Sequence, residues 1–284
     1  MHPPAISRAA GAAPLVDRSA QIRTVGATVA AVVHYRQLIR SLVAKDLKLK
    51  YRGSVLGFVW SLVSPLLMLG VYTFAFTVVL RNETEGFVFL LLVGILAWNF
   101  FVGSLVMSTG AIVDNAGLLK SVLFPRAVLP IASVMFNFAQ YVLTAGVLLP
   151  VMVVIYGVPI TPLFLLYPVF LFLQLCFITG LALALSAAAA HLRDTRHLLD
   201  IALQVLFWTT PIVWPLTLVL DRWWGPYVVL SPMSPFIVAY QRILYYGAWP
   251  GPRLTAVAIV YALGALAIGT AIFLRSDRRF SELV

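Results

Sequence analysis

The sequence is poor in charged residues, which make up 11% of its 284 positions, whereas soluble globular proteins carry about 25%. Hydrophobic residues account for 62%, and the mean hydropathy is +0.98. A chain with so much apolar surface and so little charge does not fold as an ordinary soluble domain. The composition therefore predicts an integral membrane protein.

Ionisable side chains are almost absent from the middle of the long apolar segments. All ten Asp and Glu residues and all four His residues fall in tails, loops or segment ends. Ion-coupled carriers usually hold an ionisable group at mid-membrane, and a membrane enzyme needs an acid or a base near its pocket. The sequence therefore disfavours both classes, although a membrane-embedded transferase that acts on lipid-linked sugars stays open as the alternative.

Further absences limit the disulfides, cofactors and metals that this chain can carry. Cys176 is the one cysteine of the sequence, so no disulfide forms within the chain. There is no G-x-x-x-x-G-K-[ST] loop and no visible spacing of metal ligands, so we expect no cofactor and no ATP bound in the P-loop manner. If the chain moves a solute uphill, the energy must come from another chain. Residues 1–21 lack the basic and apolar regions of a cleavable signal peptide.

Long apolar runs indicate membrane-spanning helices, because about 20 helical residues cross a hydrocarbon core of about 30 Å. We predict an all-α integral membrane protein with six transmembrane helices. They lie at about residues 55–80, 87–112, 128–155, 163–190, 199–220 and 254–274. Pro211 and Pro215 interrupt the fifth span.

A basic stretch precedes the first span. Residues 1–33 show no sustained period and are interpreted as a cytoplasmic tail, whereas residues 34–53 place apolar and basic side chains on different helix faces. This pattern predicts an N-terminal amphipathic helix in the inner membrane interface, followed by a transmembrane domain at residues 54–284. A solvated helix that packs on a soluble partner is the alternative.

The region between the fifth and sixth spans, residues 221–253, is too polar and too rich in proline to cross the membrane. Its tryptophans favour the membrane–water boundary. Irregular backbone is tolerated at membrane depth where protein or water satisfies it. We therefore predict short re-entrant helices on the outer side.

Basic residues are unevenly distributed among the loops. Sixteen of the 20 Lys and Arg residues fall on segments that six spans place on one side of the membrane. Loops rich in Lys and Arg stay inside, so both termini are predicted to be cytoplasmic in a cytoplasmic (inner or plasma) membrane protein. Because these charges cluster at span ends, the net charge of +10 indicates contact with membrane lipid and not with nucleic acid.

Residues at the start of the first span carry a family resemblance. The string from Asp46 to Trp60, DLKLKYRGSVLGFVW, followed by SPL at residues 64–66, resembles type-2 ABC exporter permeases of the branch that exports O-antigen, teichoic acid and other lipid-linked polysaccharides. Residues 120–126 and 192–195 fit the same family, and the resemblance covers about residues 34–280. Similar exporters carry Asn-Pro where residues 231–235 read SPMSP. The bias to Ala, Val and Arg, with 16 Arg against 4 Lys, suggests an actinobacterial galactan exporter within this family.

The resemblance implies a transport permease and not an enzyme. It implies a homodimer, with each copy docked on a separate cytoplasmic ABC ATPase subunit that binds the ATP. The cargo would be a polysaccharide linked to polyprenyl diphosphate. Residues 115–126 would form a short coupling helix that sits on the ATPase, although a solvated turn is the alternative. The predicted coupling residues are Asn115, Lys120, Phe124, Pro125 and Arg126.

The resemblance also places the first and fifth spans along the channel. Uncharged aromatic faces would let a neutral polymer slide without being trapped, whereas packing against helices or lipid is the alternative role for these rings. The predicted channel-lining residues share one face of each span. They are Ser61, Met68, Tyr72, Phe76, Gln204 and Trp208.

Two other sets of residues have competing interpretations. Asn137, Gln140, Tyr141 and Thr144 form a polar stripe on the third span, for which hydrogen bonding between helices is favoured over contact with substrate. The outer segment is predicted to act as a gate over the channel, and a static connecting loop is the alternative. Its predicted gate residues are Trp223, Trp224, Arg242 and Trp249, of which Arg242 would meet a diphosphate or a lipid headgroup.

Overall fold

The computed structural model describes residues 33–54, 57–79, 81, 85–121, 124–192, 194–214 and 231–277. All regular elements within these ranges are helical, and none is a strand. We label the described helices α1 (Arg36–Tyr51), α2 (Val59–Thr73), α3 (Phe87–Asp114), α4 (Ala116–Ser121), α5 (Val128–Ile155), α6 (Leu166–His191), α7 (Thr195–Thr209), α8 (Ser234–Leu244) and α9 (Pro252–Asp277). A π-helix, Phe74–Val79, continues α2, and a 3-10 turn, Pro162–Leu165, leads into α6.

Five helical segments are long and apolar enough to cross a membrane: Val59–Val79, Phe87–Asp114, Val128–Ile155, Pro162–His191 and Pro252–Ser276. They confirm a multi-pass, all-helical membrane protein. They also correspond to the first, second, third, fourth and sixth predicted spans. The predicted fifth span, 199–220, is described only to Trp214, and α7 covers its first part. This predicted fifth span therefore stays a prediction.

Helix α3 is the centre of the bundle. Twenty of its 28 residues are buried, and it contacts α2, α5, α6, α7 and α8. Its sequence is apolar on every side, which is typical of a helix surrounded by others. By contrast, most of the side chains of α2 are exposed, so α2 lies at the edge of the bundle.

Helices α6 and α9 form the most extensive helix pair, and glycines bring their backbones together. A Cβ atom added to Gly269 would overlap the backbone of Gly180, and one added to Gly180 would overlap the backbone of Ala265 and Leu266. Small residues allow this close approach, which is a common way to join helices in a membrane.

We predict that Gly269→Ala destabilises the protein and that Gly264→Ala does not. The added methyl group at Gly269 would push α6 and α9 apart, and overpacking of this kind costs about 1–3 kcal/mol. Gly264 lies on the same helix, but a Cβ atom there meets no atom of the described residues within 4 Å, which makes it the matched control. Thermal unfolding in one detergent measures the difference. Equal melting temperatures would contradict the close contact.

Helix α1 packs along α5, so its apolar face is covered by protein. Ile39 and Leu42 are buried in a cluster with Val128, Leu183 and Phe273, at one end of the bundle. We call this set the end cluster. The amphipathic pattern therefore reports burial against the bundle in addition to any contact with lipid.

Helix α8 enters the bundle, as a re-entrant helix does. Its central side chains, including Phe236 and Tyr240, are fully buried against α3, α6 and α9. The Tyr240 hydroxyl donates to Gln174 Oε1 at 2.6 Å, and Gln174 Nε2 donates to the Ala97 carbonyl at 3.1 Å. Gln241 Nε2 lies 3.4 Å from the Leu90 carbonyl oxygen, to which it donates. These bonds hold α8 in place.

Candidate functional site

The two helices predicted to line a channel lie on the same side of the bundle. The ring centroids of Tyr72 on α2 and Phe207 on α7 are 5.7 Å apart. Beyond this contact, both helices expose large apolar side chains, among them Leu67 at 62% and Val205 at 59%. We call the exposed sides of α2 and α7 the lateral face. Its α2 side is apolar and has no charged residue between Val59 and Thr73, whereas its α7 side carries the exposed Asp200 one turn before Gln204.

The six predicted channel residues divide into two groups. Met68, Gln204 and Trp208 are exposed on the lateral face. Tyr72 packs on Phe207, Phe76 packs on Phe87 with a centroid distance of 5.8 Å, and Ser61 Oγ shares a hydrogen bond with the Tyr51 hydroxyl. The contacts of Tyr72 and Phe76 are those that the alternative role, helix packing, requires.

The predicted coupling segment forms a short helix between α3 and α5. The Asn115 carbonyl accepts hydrogen bonds from the backbone of Leu118 and Leu119, which starts α4, and its side chain donates to the Ala111 carbonyl at 2.9 Å. Lys120 lies within α4. After α4, Phe124 packs on the end cluster. Pro125 and Arg126 are half-buried, and their carbonyls accept the first backbone bonds of α5, at 3.0 and 3.2 Å.

An ion pair that the sequence did not reveal joins this segment to α7. Arg196 Nη2 donates to Asp114 Oδ1 at 2.7 Å, so the end of α3 is tied to the start of α7. Gly110 lies directly beneath the pair, since a Cβ atom there would meet both side chains. Because exposed ion pairs contribute only about 0–1 kcal/mol to stability, its main effect is to fix position. Arg196, the partner of Asp114, lies one residue after the 192–195 motif.

A partly open cavity of about 190 Å³ lies beside the coupling segment. Its polar wall consists of Lys45, Asp46, Asp114, Asn115 and Ser133. Lys45 and Asp46 already pair with each other at 3.3 Å, and Asp114 pairs with Arg196. Its charges are therefore largely neutralised within the protein.

The polar stripe of the third span mainly serves contacts within and between helices. The Tyr141 hydroxyl is 2.6 Å from that of Tyr167 on α6, and Asn137 Nδ2 donates to the Ser133 carbonyl of its own helix at 2.9 Å. Gln140 Oε1 accepts a hydrogen bond from Lys50 Nζ on α1. Burial lowers the pKa of Lys50 below the usual value for a lysine.

The predicted gate residues are only partly within the described ranges, because Trp223 and Trp224 lie outside them. Trp249 is 52% exposed, and Arg242 is exposed with its Nη1 donating to the Pro250 carbonyl at 3.3 Å. Nearby, the Tyr245 hydroxyl donates to the Glu85 carbonyl at 2.9 Å, and burial raises the pKa of Tyr245 above its usual value.

Comparison with known proteins identifies the family. The sequence pattern described as ABC-2 type transporter matches residues 37–245. The chain is 36% identical over 248 residues to the O-antigen export system permease protein RfbA of Myxococcus xanthus, which covers 84% of this chain and 94% of that protein. It is 27% identical over 244 residues to an O-antigen export system permease protein RfbA of Klebsiella pneumoniae, which covers 84% of this chain and 92% of that protein. The chain therefore belongs to the ABC-2 type transporter family, as a membrane permease that is a transport component and not an enzyme.

Proposed function

We propose that this chain is the membrane subunit of an exporter that moves polyprenyl-diphosphate-linked polysaccharide outward across the cytoplasmic membrane. The observation that carries the proposal is its similarity to O-antigen export permeases over nearly their whole length. The similarity includes the junction of α1 and α2 and the coupling segment. The chain has no G-x-x-x-x-G-K-[ST] loop, so a separate cytoplasmic ATPase subunit supplies the energy.

The lateral face supports a homodimer in which two copies enclose the channel. The buried side chains of α3 fill the centre of the described bundle, so the proposed path for the polymer lies outside that centre. Two lateral faces set opposite each other would place Met68, Gln204 and Trp208 along a shared path. Uncharged rings and amides there would contact a neutral polymer without binding it tightly.

The distribution of basic residues supports an orientation with both termini in the cytoplasm. In that orientation α4 and the residues that follow it, up to Arg126, face the ATPase. Domain limits follow from it: a tail at 1–33, an interface helix at 34–53 and a permease domain at 54–284. The outer gate would then lie at α8, whose hydrogen bonds hold it in the bundle. Arg242 on α8 and Trp249 after it would belong to this gate. The compositional bias to Ala, Val and Arg favours a galactan as the exported glycan.

Loss of the chain tests the export function directly. Deleting the gene should leave the lipid-linked polysaccharide on the cytoplasmic side and remove the polymer from the cell surface, because synthesis continues without export. Surface glycan is measured by labelling intact cells, and the trapped glycan by lipid extraction. A complementing copy is the control. Normal surface glycan in the deletion strain, or a purified chain that never associates with an ATPase, would contradict the proposal.

A further inference from the structure

Lys50 lies farther along α5 than a flat interface helix would place it, and its side chain is exposed. Its partner Gln140 is twelve residues after the start of α5 at Val128, which is about 18 Å along a helix. The other end of α1 lies at the start of α5, where Ile39 packs in the end cluster. Helix α1 therefore climbs along α5. In the proposed orientation it brings Lys50 to the level of the inner leaflet.

The Lys50 ammonium is held by neutral groups. Lys45–Asp46 and Arg196–Asp114 are ion pairs among the described residues, and neither involves Lys50. Its Nζ donates to the Gln140 amide oxygen and lies 5.9 Å from the centroid of the Phe136 ring. A cation at membrane depth without an acidic partner indicates a functional anion site.

The Gln140 amide has an unused donor beside the same ammonium. Its Nε2 is buried and has no hydrogen-bond partner among the described residues. A buried polar group left unpaired destabilises the fold, so such groups are usually retained for a reason. The Lys50 Nζ also lies 6.0 Å from the centroid of the Tyr51 ring, and the Tyr51 hydroxyl shares a hydrogen bond with Ser61 Oγ. An ammonium, an amide and two hydroxyls together offer several donors to one group rich in acceptor oxygens.

The basic residues at the end of α1 carry more positive charge than the helix dipole alone would attract. The last residues of α1 and its cap carry Lys48, Lys50 and Arg52, whereas a helix C-terminus is equivalent to about half a negative charge. Space is available beside them, because Cβ atoms added at Gly53 and Gly57 would meet no described atom within 4 Å. The adjoining side of α2 is apolar and exposed, which suits a hydrocarbon chain.

We propose that Lys50 and Gln140, with the hydroxyls of Tyr51 and Ser61, bind the phosphate of a membrane lipid at the inner leaflet. Phosphate suits these donors because it presents several acceptor oxygens and carries the negative charge that would neutralise the Lys50 ammonium. The inference rests on the proposed export function for its orientation and for one of two sources. The phosphate belongs either to the polyprenyl diphosphate carrier or to an anionic phospholipid. The chemistry recognised is the same for both.

The test measures lipid binding by the full chain in phosphatidylcholine nanodiscs, with geranylgeranyl diphosphate as the probe and geranylgeraniol as the control without phosphate. Wild type should bind the diphosphate and not the alcohol. Lys50→Ala and Gln140→Leu should each weaken binding about tenfold, the effect of losing one charge-assisted or buried hydrogen bond. Gln140→Glu should abolish binding, since its carboxylate keeps the contact to Lys50 but repels phosphate. Arg40→Ala, which removes an exposed basic residue near the other end of the same helix, is the matched control.

Competition by phosphatidylglycerol separates the two sources. Displacement of the probe at similar concentration would assign the site to ordinary anionic lipid, and resistance to displacement would assign it to the carrier diphosphate. Unchanged binding in Gln140→Glu, with the variant still monodisperse, would overturn the inference, because a purely structural Gln140 tolerates that change. The assay contains no ATPase and no transport step. A failed site therefore leaves the export proposal standing, and a failed export experiment leaves the binding result intact.

Discussion

Replacing Phe124 and Arg126 together with alanine should lower export more than about tenfold, because truncating one central interface residue commonly costs about 2 kcal/mol and each 1.4 kcal/mol is tenfold in affinity. Both residues follow α4, the segment proposed to sit on the ATPase subunit. Phe124 is an aromatic anchor at the edge of the end cluster, and arginine is enriched at such interfaces. ATP hydrolysis stimulated by the lipid-linked substrate, measured in the reconstituted complex, should fall in parallel.

A matched pair of substitutions separates lost docking from lost packing. Leu38 on α1 also packs on the end cluster, and Arg40 on the same helix is exposed. Leu38→Ala with Arg40→Ala therefore removes the same kinds of groups away from α4. This control should insert normally and keep coupled hydrolysis near the wild-type rate. Normal coupling in the Phe124 and Arg126 variant would show that α4 is only a turn.

A physical route leads from the predicted coupling segment to α7, which is proposed to line the channel. Asp114 immediately precedes Asn115 and α4, and its partner Arg196 lies in the first turn of α7. A displacement of α4 by the ATPase would therefore be transmitted to α7 through the ion pair as well as through α3. This link explains how a short cytoplasmic helix could move a helix that borders the lateral face.

The ends of most long helices were predictable because charges and glycines mark them. The predicted span 128–155 coincides with α5, and the span 87–112 ends two residues before α3 does. Gly86 precedes α3 in a left-handed backbone conformation that glycine favours, and Asp114, whose charge is unfavourable in the membrane interior, ends it. The fifth span was harder to delimit. Helix α7 begins at Thr195, before the predicted start at 199, and ends at Thr209, before Pro211.

Contacts between residues that are far apart in the sequence could not be predicted from the sequence alone. Lys50 and Gln140 are 90 positions apart, and Asp114 and Arg196 are 82 apart. Periodicity reports which side of a single helix is apolar, but it does not report which helices meet. The partners of the polar residues on α8 were also beyond the sequence: the structure buries Tyr240 and Gln241 and pairs both inside the bundle.

Crosslinking two copies through position 204 should stop export, and cleaving the crosslink should restore it. Gln204 is exposed on α7 within the lateral face, where the proposed dimer would set two copies opposite each other. Cys176 is the one native cysteine, so Cys176→Ala with Gln204→Cys leaves a single reactive thiol per chain. A bismaleimide with a disulfide in its linker would join the two thiols across the channel. The polymer could then no longer pass, because the linker occupies its path and holds both α7 helices together.

Export into sealed vesicles, measured before and after a reductant, gives the result, and gel electrophoresis gives the crosslinked fraction. Val260→Cys in the same Cys176→Ala background is the control, since Val260 is 65% exposed on α9, on a helix that packs against α6 and α8. It should react with maleimide yet form no crosslinked dimer. A dimer formed through position 260 and not through 204 would place the contact between copies on α9. The lateral face would then meet lipid, and Met68, Gln204 and Trp208 would not line the path of the polymer.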